Sequence, residues 1–107
     1  MKASVFVRTS FEGFHRWPDA PAEVDFLRRR HRHVFHVKAE WRVSHDDRDI
    51  EFILAKRRLD DAIAVHRLDE DRSTWSCESW ARWIIEALGA ARVEVSEDGE
   101  NGAIVEA

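Results

Sequence analysis

Apolar and polar residues alternate along two stretches of this chain. From Ala3 to about His15, Val5, Val7, Thr9 and Phe11 fall on one face, which predicts a strand. From His33 to Val43 the alternation is cleaner, with Phe35, Val37, Ala39, Trp41 and Val43 on one side and His36, Lys38, Glu40 and Arg42 on the other. That is a strand with one buried and one wet face. Between the two, Trp17-Pro18-Asp19-Ala20-Pro21 reads as a loop, because paired prolines oppose regular structure.

After the polar turn Ser44-His45-Asp46-Asp47-Arg48 the period changes. Phe52, Ala55, Leu59, Ala62, Ile63 and His66 stack on one side of a helix running from about Phe52 to His66. A second helix starts near Ser76, which suits an N-cap, with Glu78 in the first turn. Its stripe is Trp80, Trp83, Ile84, Ala87 and Leu88, and Gly89 stops it. Two short strands, Ala91–Glu97 and Ala103–Glu106, close the chain around the turn Asp98-Gly99-Glu100-Asn101-Gly102. The order β-β-α-α-β-β predicts an α+β fold, an antiparallel sheet with two helices on one face.

Length and composition narrow the class. At 107 residues, 1–107 make a single domain, since a second would leave neither with a workable core. Five tryptophans are hard to hide in one small core and point to association between copies. A net charge of −4 argues against a general nucleic-acid partner. The basic run Arg28-Arg29-Arg30-His31-Arg32-His33 is the local exception, either a solvated loop or the edge of a pocket that receives an anion. One cysteine leaves no internal disulfide and fits a reducing cytoplasm. No apolar run nears the roughly 20 residues that span a bilayer, and Met1–Val5 lacks the apolar stretch of a signal peptide, so no membrane partner is expected.

The histidines carry the chemistry. His31 and His33 stand two apart at the start of a strand, so their rings project from the same face. Two imidazoles at that spacing can share one metal ion, though most H-x-H pairs are ordinary surface or core residues. His15, at the end of the first strand, is the best third ligand, because antiparallel pairing across the proline loop brings it to residues 31 and 33. Three neutral imidazoles with an open fourth position are a usual catalytic zinc arrangement. His36 lies on the opposite face and His45 in a turn, while His66 ends a helix, where a cation complements the dipole.

The residues around these histidines resemble a known family, the 6-pyruvoyltetrahydropterin and 6-carboxytetrahydropterin synthases. Phe11-Glu12-Gly13-Phe14-His15-Arg16-Trp17 is similar to the family's F-x-A-A-H-x-L strand end, and His31-Arg32-His33-Val34-Phe35 to its H-G-H-x-Y/F motif. Ile50-Glu51-Phe52 and the following helix resemble V/I-x-D-F-x-x-L-K. Ser76 to Ile84 resembles the start of the P-T-x-E helix, and Val93-Glu94-Val95-Ser96-Glu97 with Gly102-Ala103 the terminal V-x-V-x-E-T…A hairpin.

The resemblance implies a Zn2+ ion on His15, His31 and His33, and a tunnelling fold in which sheets of several copies join into a barrel, as trimers or hexamers. Glu97 inherits recognition of the pterin ring edge, which a carboxylate suits because it accepts two N–H bonds. The implied activity is that of a lyase on a dihydroneopterin triphosphate-like substrate, in 7-deazaguanine (queuosine-type) or pterin metabolism.

The departures from the family pattern fall on the proton-transfer groups. Leu27 stands where the family has a reactive cysteine, and Cys77 occupies a variable slot. Arg32 replaces the glycine between the two ligands and is expected to project into ligand space. The L-D-H-x-x-L-N motif has no counterpart, leaving His66 with Asp69 or Asp60 as a substitute relay. The alternative to an enzyme is therefore a catalytically reduced relative that binds zinc and a pterin- or purine-like ligand as a binding or regulatory module. A purely structural zinc oligomer is a third reading.

Overall fold

A computed structural model describes residues 1–107. Strand β1 spans Ala3–His15 and β2 His31–Val43, followed by helix α1, Phe52–His66, and helix α2, Cys77–Leu88. The hairpin of β3, Arg92–Glu97, and β4, Asn101–Glu106, completes an antiparallel sheet of order β1-β2-β3-β4. The α+β class, the element order and both helix spans agree with the sequence pattern. Short 3-10 segments at Ala22–Arg28 and Glu70–Arg72 interrupt stretches without a periodic signal.

The register explains why β2 starts at His31 rather than His33. Pairing runs from Ala3 opposite Val43 to His15 opposite His31, with Phe11 opposite Phe35 and Gly13 opposite His33. On the other side Phe35 faces Glu97, Val37 faces Val95 and Ala39 faces Val93. Cross-strand partners share a face, so His15, His31, His33 and Glu97 extend the same rows that carry the core. Val7, Phe11, Phe35, Val37, Ala39, Trp41, Val93 and Val95 fill that face beneath Ala55, Leu59 and Ile63 of α1 and Trp80, Ala81 and Ile84 of α2. Both helices thus cover one side of the sheet, and the first turn of α2 reaches the cavity at its histidine end.

The helix ends follow local chemistry. Glu51 caps α1 by accepting from the backbone N–H groups of Ile53 and Leu54 at 2.9 and 2.8 Å. Ser76 caps α2 through the Ser79 N–H at 3.1 Å, and Gly89 ends it at φ 67°, in the left-handed region. The turn Asp98-Gly99 has positive φ at both residues, 55° and 73°, as in a type I′ turn, closed by the Glu100 N–H donating to the Glu97 carbonyl at 3.0 Å, with Glu100 as a third loop residue before Asn101 pairs with Glu97.

Arg32 corrects an expectation. Side chains alternate along a strand, so Arg32 points away from the face that holds His31 and His33. It donates to Glu12 at 2.9 Å across the sheet's outer surface and does not enter the space beside the histidines.

Candidate metal centre

Three strand positions bring the imidazoles together at one end of the core. Their ring centroids lie 4.5 Å apart for His15 and His31, 5.1 Å for His15 and His33, and 4.9 Å for His31 and His33. One nitrogen from each ring falls within 4.8 Å of the other two. Phe35 forms the floor, its ring 5.3 Å from that of His15 and 5.9 Å from that of His33. Gly13 makes room for it: a Cβ there would come within 2.8 Å of Phe35 Cε2. Any larger residue would displace the floor under His33.

Each imidazole is oriented by an oxygen at Nδ1. His15 donates to the Trp75 carbonyl at 3.1 Å, His31 to the Arg29 carbonyl at 2.7 Å, and His33 to the Asp98 carboxylate at 2.7 Å. Carbonyls and ionised carboxylates only accept, so the proton sits on Nδ1 in all three rings. Each Nε2 is left with a free lone pair, the tautomer a metal requires, fixed by the outer partners that metal-binding histidines characteristically have. His33 Nε2 is buried without a hydrogen-bond partner. An orphaned acceptor of this kind is costly unless something electrophilic meets it. The donor set therefore fits a divalent ion such as Zn2+.

Asp98 is an outer partner that sequence pattern missed. Its second oxygen accepts from the Val34 backbone N–H at 2.9 Å, and these bonds, the backbone one foremost and that from His33 next, hold its carboxyl below the usual carboxylate range. The Asp-Gly turn signature was readable, but nothing in it told that the aspartate would reach His33.

Burial is the main cause that lowers the His15 pKa; the Trp75 carbonyl and Glu97 oppose it, while His31 and His33 push it down further. The folded ring thus holds its proton less readily than the unfolded one, whose ordinary value is 6.5. The unfolded chain takes up more protons as pH falls, so folding stability drops through and below that value. Metal-free protein is expected to melt at progressively lower temperature between about pH 7 and about pH 5. Thermal unfolding in chelator measures this, and His15→Gln should flatten the slope.

A cavity of about 450 Å³ opens beside the cluster, lined by His15, His31, Glu97, Trp17, Trp75 and the first turn of α2. Leu27 and Cys77 also face it. The Cys77 thiol is pushed up to about 12, by burial first and then by Glu97 and Glu78, so it stays protonated. Glu97 stands against the histidines, its carboxylate oxygens 3.4 Å from His15 Nε2 and 3.4 Å from His33 Nε2.

The remaining candidate relay lies elsewhere. His66 bonds Asp69 at 3.0 Å and packs its ring 5.0 Å from that of Trp83, and Asp69 also accepts from Arg72 at 2.8 Å. Asp69 borders a smaller cavity of about 180 Å³ that His15 also touches, but His66 lines neither cavity. Asp60 is engaged by Thr9 on α1's core side.

Fold and site together define an α+β protein with a preorganised three-histidine centre at one end of its sheet. No family model matches the chain, and no curated protein matches it either. No helix is long and apolar enough to cross a membrane.

Proposed function

We propose that this chain is a pterin synthase-like protein that binds Zn2+ through His15, His31 and His33 and presents it to a pterin- or purine-like ligand in the adjoining cavity. The single observation that carries the reading is the common tautomer in a common place: three Nδ1–H groups held by oxygens, in rings that each bring a nitrogen within 4.8 Å of the other two. When bound, the ion would polarise ligand hydroxyls and favour loss of their protons. The protein's own residues supply the rest. Trp17 and Trp75 offer apolar walls for a bicyclic ring, and the carboxylates of Glu97 and Glu78 offer acceptors for its N–H edge.

Of the two versions of this reading, the catalytically reduced binding or regulatory module has the stronger support. Leu27, not a thiol, faces the cavity at the family's cysteine position, and the His66–Asp69 pair stands outside it. The enzyme version, a lyase on a dihydroneopterin triphosphate-like compound in 7-deazaguanine, queuosine or pterin metabolism, is favoured by one observation, that Cys77 also lines this cavity.

Assembly of copies into a homotrimer or hexamer, with sheets joined in the manner of a tunnelling fold, belongs to the same proposal. It is supported by β1 and β4, which are both unpaired at their outer edges. The acidic net charge supports a small-molecule partner over a nucleic acid.

The test is elemental analysis of untagged protein, followed by calorimetric titration with neopterin and a turnover assay on dihydroneopterin triphosphate. About one zinc per chain with neopterin binding but no turnover is the expected result. Turnover would establish the enzyme version. A folded chain that takes up no zinc when supplied with it would overturn both.

A further inference from the structure

Glu97 ends β3 directly opposite Phe35, so its side chain emerges on the histidine face of the sheet. Its two oxygens then divide between two imidazoles, Oε1 at 3.4 Å from His15 Nε2 and Oε2 at 3.4 Å from His33 Nε2. These are not hydrogen bonds. The proton of each ring is already committed at Nδ1, to Trp75 and to Asp98. His33 Nε2 accordingly has no hydrogen-bond partner although a carboxylate oxygen faces it. A lone pair set against an anionic oxygen repels it, and the arrangement becomes favourable when a cation lies between them. Ligand atoms about 2.0–2.1 Å from a tetrahedral zinc stand about 3.4 Å from each other along the tetrahedron's edge, so each carboxylate oxygen stands at ligand spacing from one imidazole, and a small rotation of the Glu97 side chain would bring one of them to the three-histidine group.

We infer that Glu97 is the fourth ligand of the centre, giving the bound metal a three-histidine, one-glutamate donor set. This rests on the metal reading proposed above and assigns Glu97 a place that the pterin-synthase resemblance does not. Consecutive residues then bracket His33, with Glu97 on the metal side of the ring and Asp98 holding its far nitrogen.

The consequence is a centre closed in its resting state. The Glu97 side chain is 32 % exposed and lies at the cavity wall, so a ligand entering the cavity reaches the metal by displacing the carboxylate. Once displaced, that carboxylate is free to accept N–H groups from the entering ring. Ligand entry and ring recognition become one exchange. An oxygen donor added to three imidazoles also broadens the ions the site accepts, toward manganese, iron and cobalt as well as zinc.

Cobalt(II) provides the test. Wild type, Glu97→Gln and Glu97→Ala, each checked for native circular dichroism, are loaded with cobalt(II) and titrated with azide while the visible spectrum is followed. Wild type is expected to show a four-coordinate spectrum that low azide leaves unchanged. Glu97→Ala is expected to lose at least about tenfold in cobalt affinity and to shift its spectrum as azide fills the vacated position. Glu97→Gln should fall between them. Cobalt bound by all three proteins with equal affinity and the same azide response overturns the assignment while leaving the three-histidine centre intact. Failure of folded wild type to bind cobalt or zinc at all overturns the metal reading itself, and this inference with it.

Discussion

Replacing His33 by alanine should cost this protein its metal while leaving its fold standing. The ring is held at Nδ1 by Asp98, clusters with the other two imidazoles, and rests on Phe35. Its removal takes away one donor of the set and unties Asp98 from the site. Metal affinity should fall by well over the roughly 10–100-fold expected for losing an outer partner. Asp98→Asn sets that lower bar. The amide can still accept from Val34 through its oxygen, but its other end is a donor, which no longer fits the His33 Nδ1–H. The ring is then free to protonate at Nε2 and lose its lone pair for the metal. Competition against a chromophoric chelator would rank the three proteins, wild type above Asp98→Asn above His33→Ala. Equal affinities would show that the three imidazoles do not act as a set.

Phe35→Ala is expected to damage stability and site together. Phe35 is 2 % exposed, stacks on Phe11 with centroids 5.1 Å apart, and carries His15 and His33 on its upper face. Truncation of a buried phenylalanine costs about 3–5 kcal/mol, a melting-temperature loss on the order of 15 °C in a domain of this size. Metal affinity should drop too, although no ligand is touched, because the two rings lose the surface that orients them. Phe35→Leu keeps much of the volume and should lose less of both. Thermal unfolding paired with metal titration measures the two effects on the same samples. A variant that is destabilised yet binds metal as wild type does would show that Phe35 serves the core alone.

Much of this architecture was legible in the sequence because the signals were periodic. The two-residue alternation from Phe35 to Val43 names the buried face that is observed, while the helical stripe of α2 holds at Trp80 and Ile84 but misses buried Cys77 and Ala81 and includes Ala87, which is exposed. The histidine cluster was legible for the same reason: once β1 and β2 pair across the proline loop, His15 must come near His31. What could not be read were features set by register and by backbone. That β2 begins at His31 depends on pairing with His15, a long-range fact. The Trp75 and Arg29 carbonyls orient two of the ligands, and a carbonyl belongs to every residue and so leaves no mark in the sequence. Arg32 is the reverse case. Its place in the family's glycine slot suggested ligand space, whereas strand alternation alone already put it on the outer face.

The hairpin between β3 and β4 bears on how this protein can change over evolutionary time. Hairpin tips are ordinarily where chains absorb insertions and drift in sequence. Here three consecutive residues are each committed in a different way. Glu97 faces the imidazoles, Asp98 locks His33, and Gly99 turns the chain at φ 73°. Gly102 adds a fourth constraint, since a Cβ there would collide with the Val95 carbonyl and the Ser96 backbone. A single added residue would put Gly102 and β4 out of step with Glu97, Asp98 and Gly99. Descendants of this chain can therefore lengthen at the Ser44–Asp49 turn, far from the histidines, more readily than at this tip, whose length is inherited along with the site.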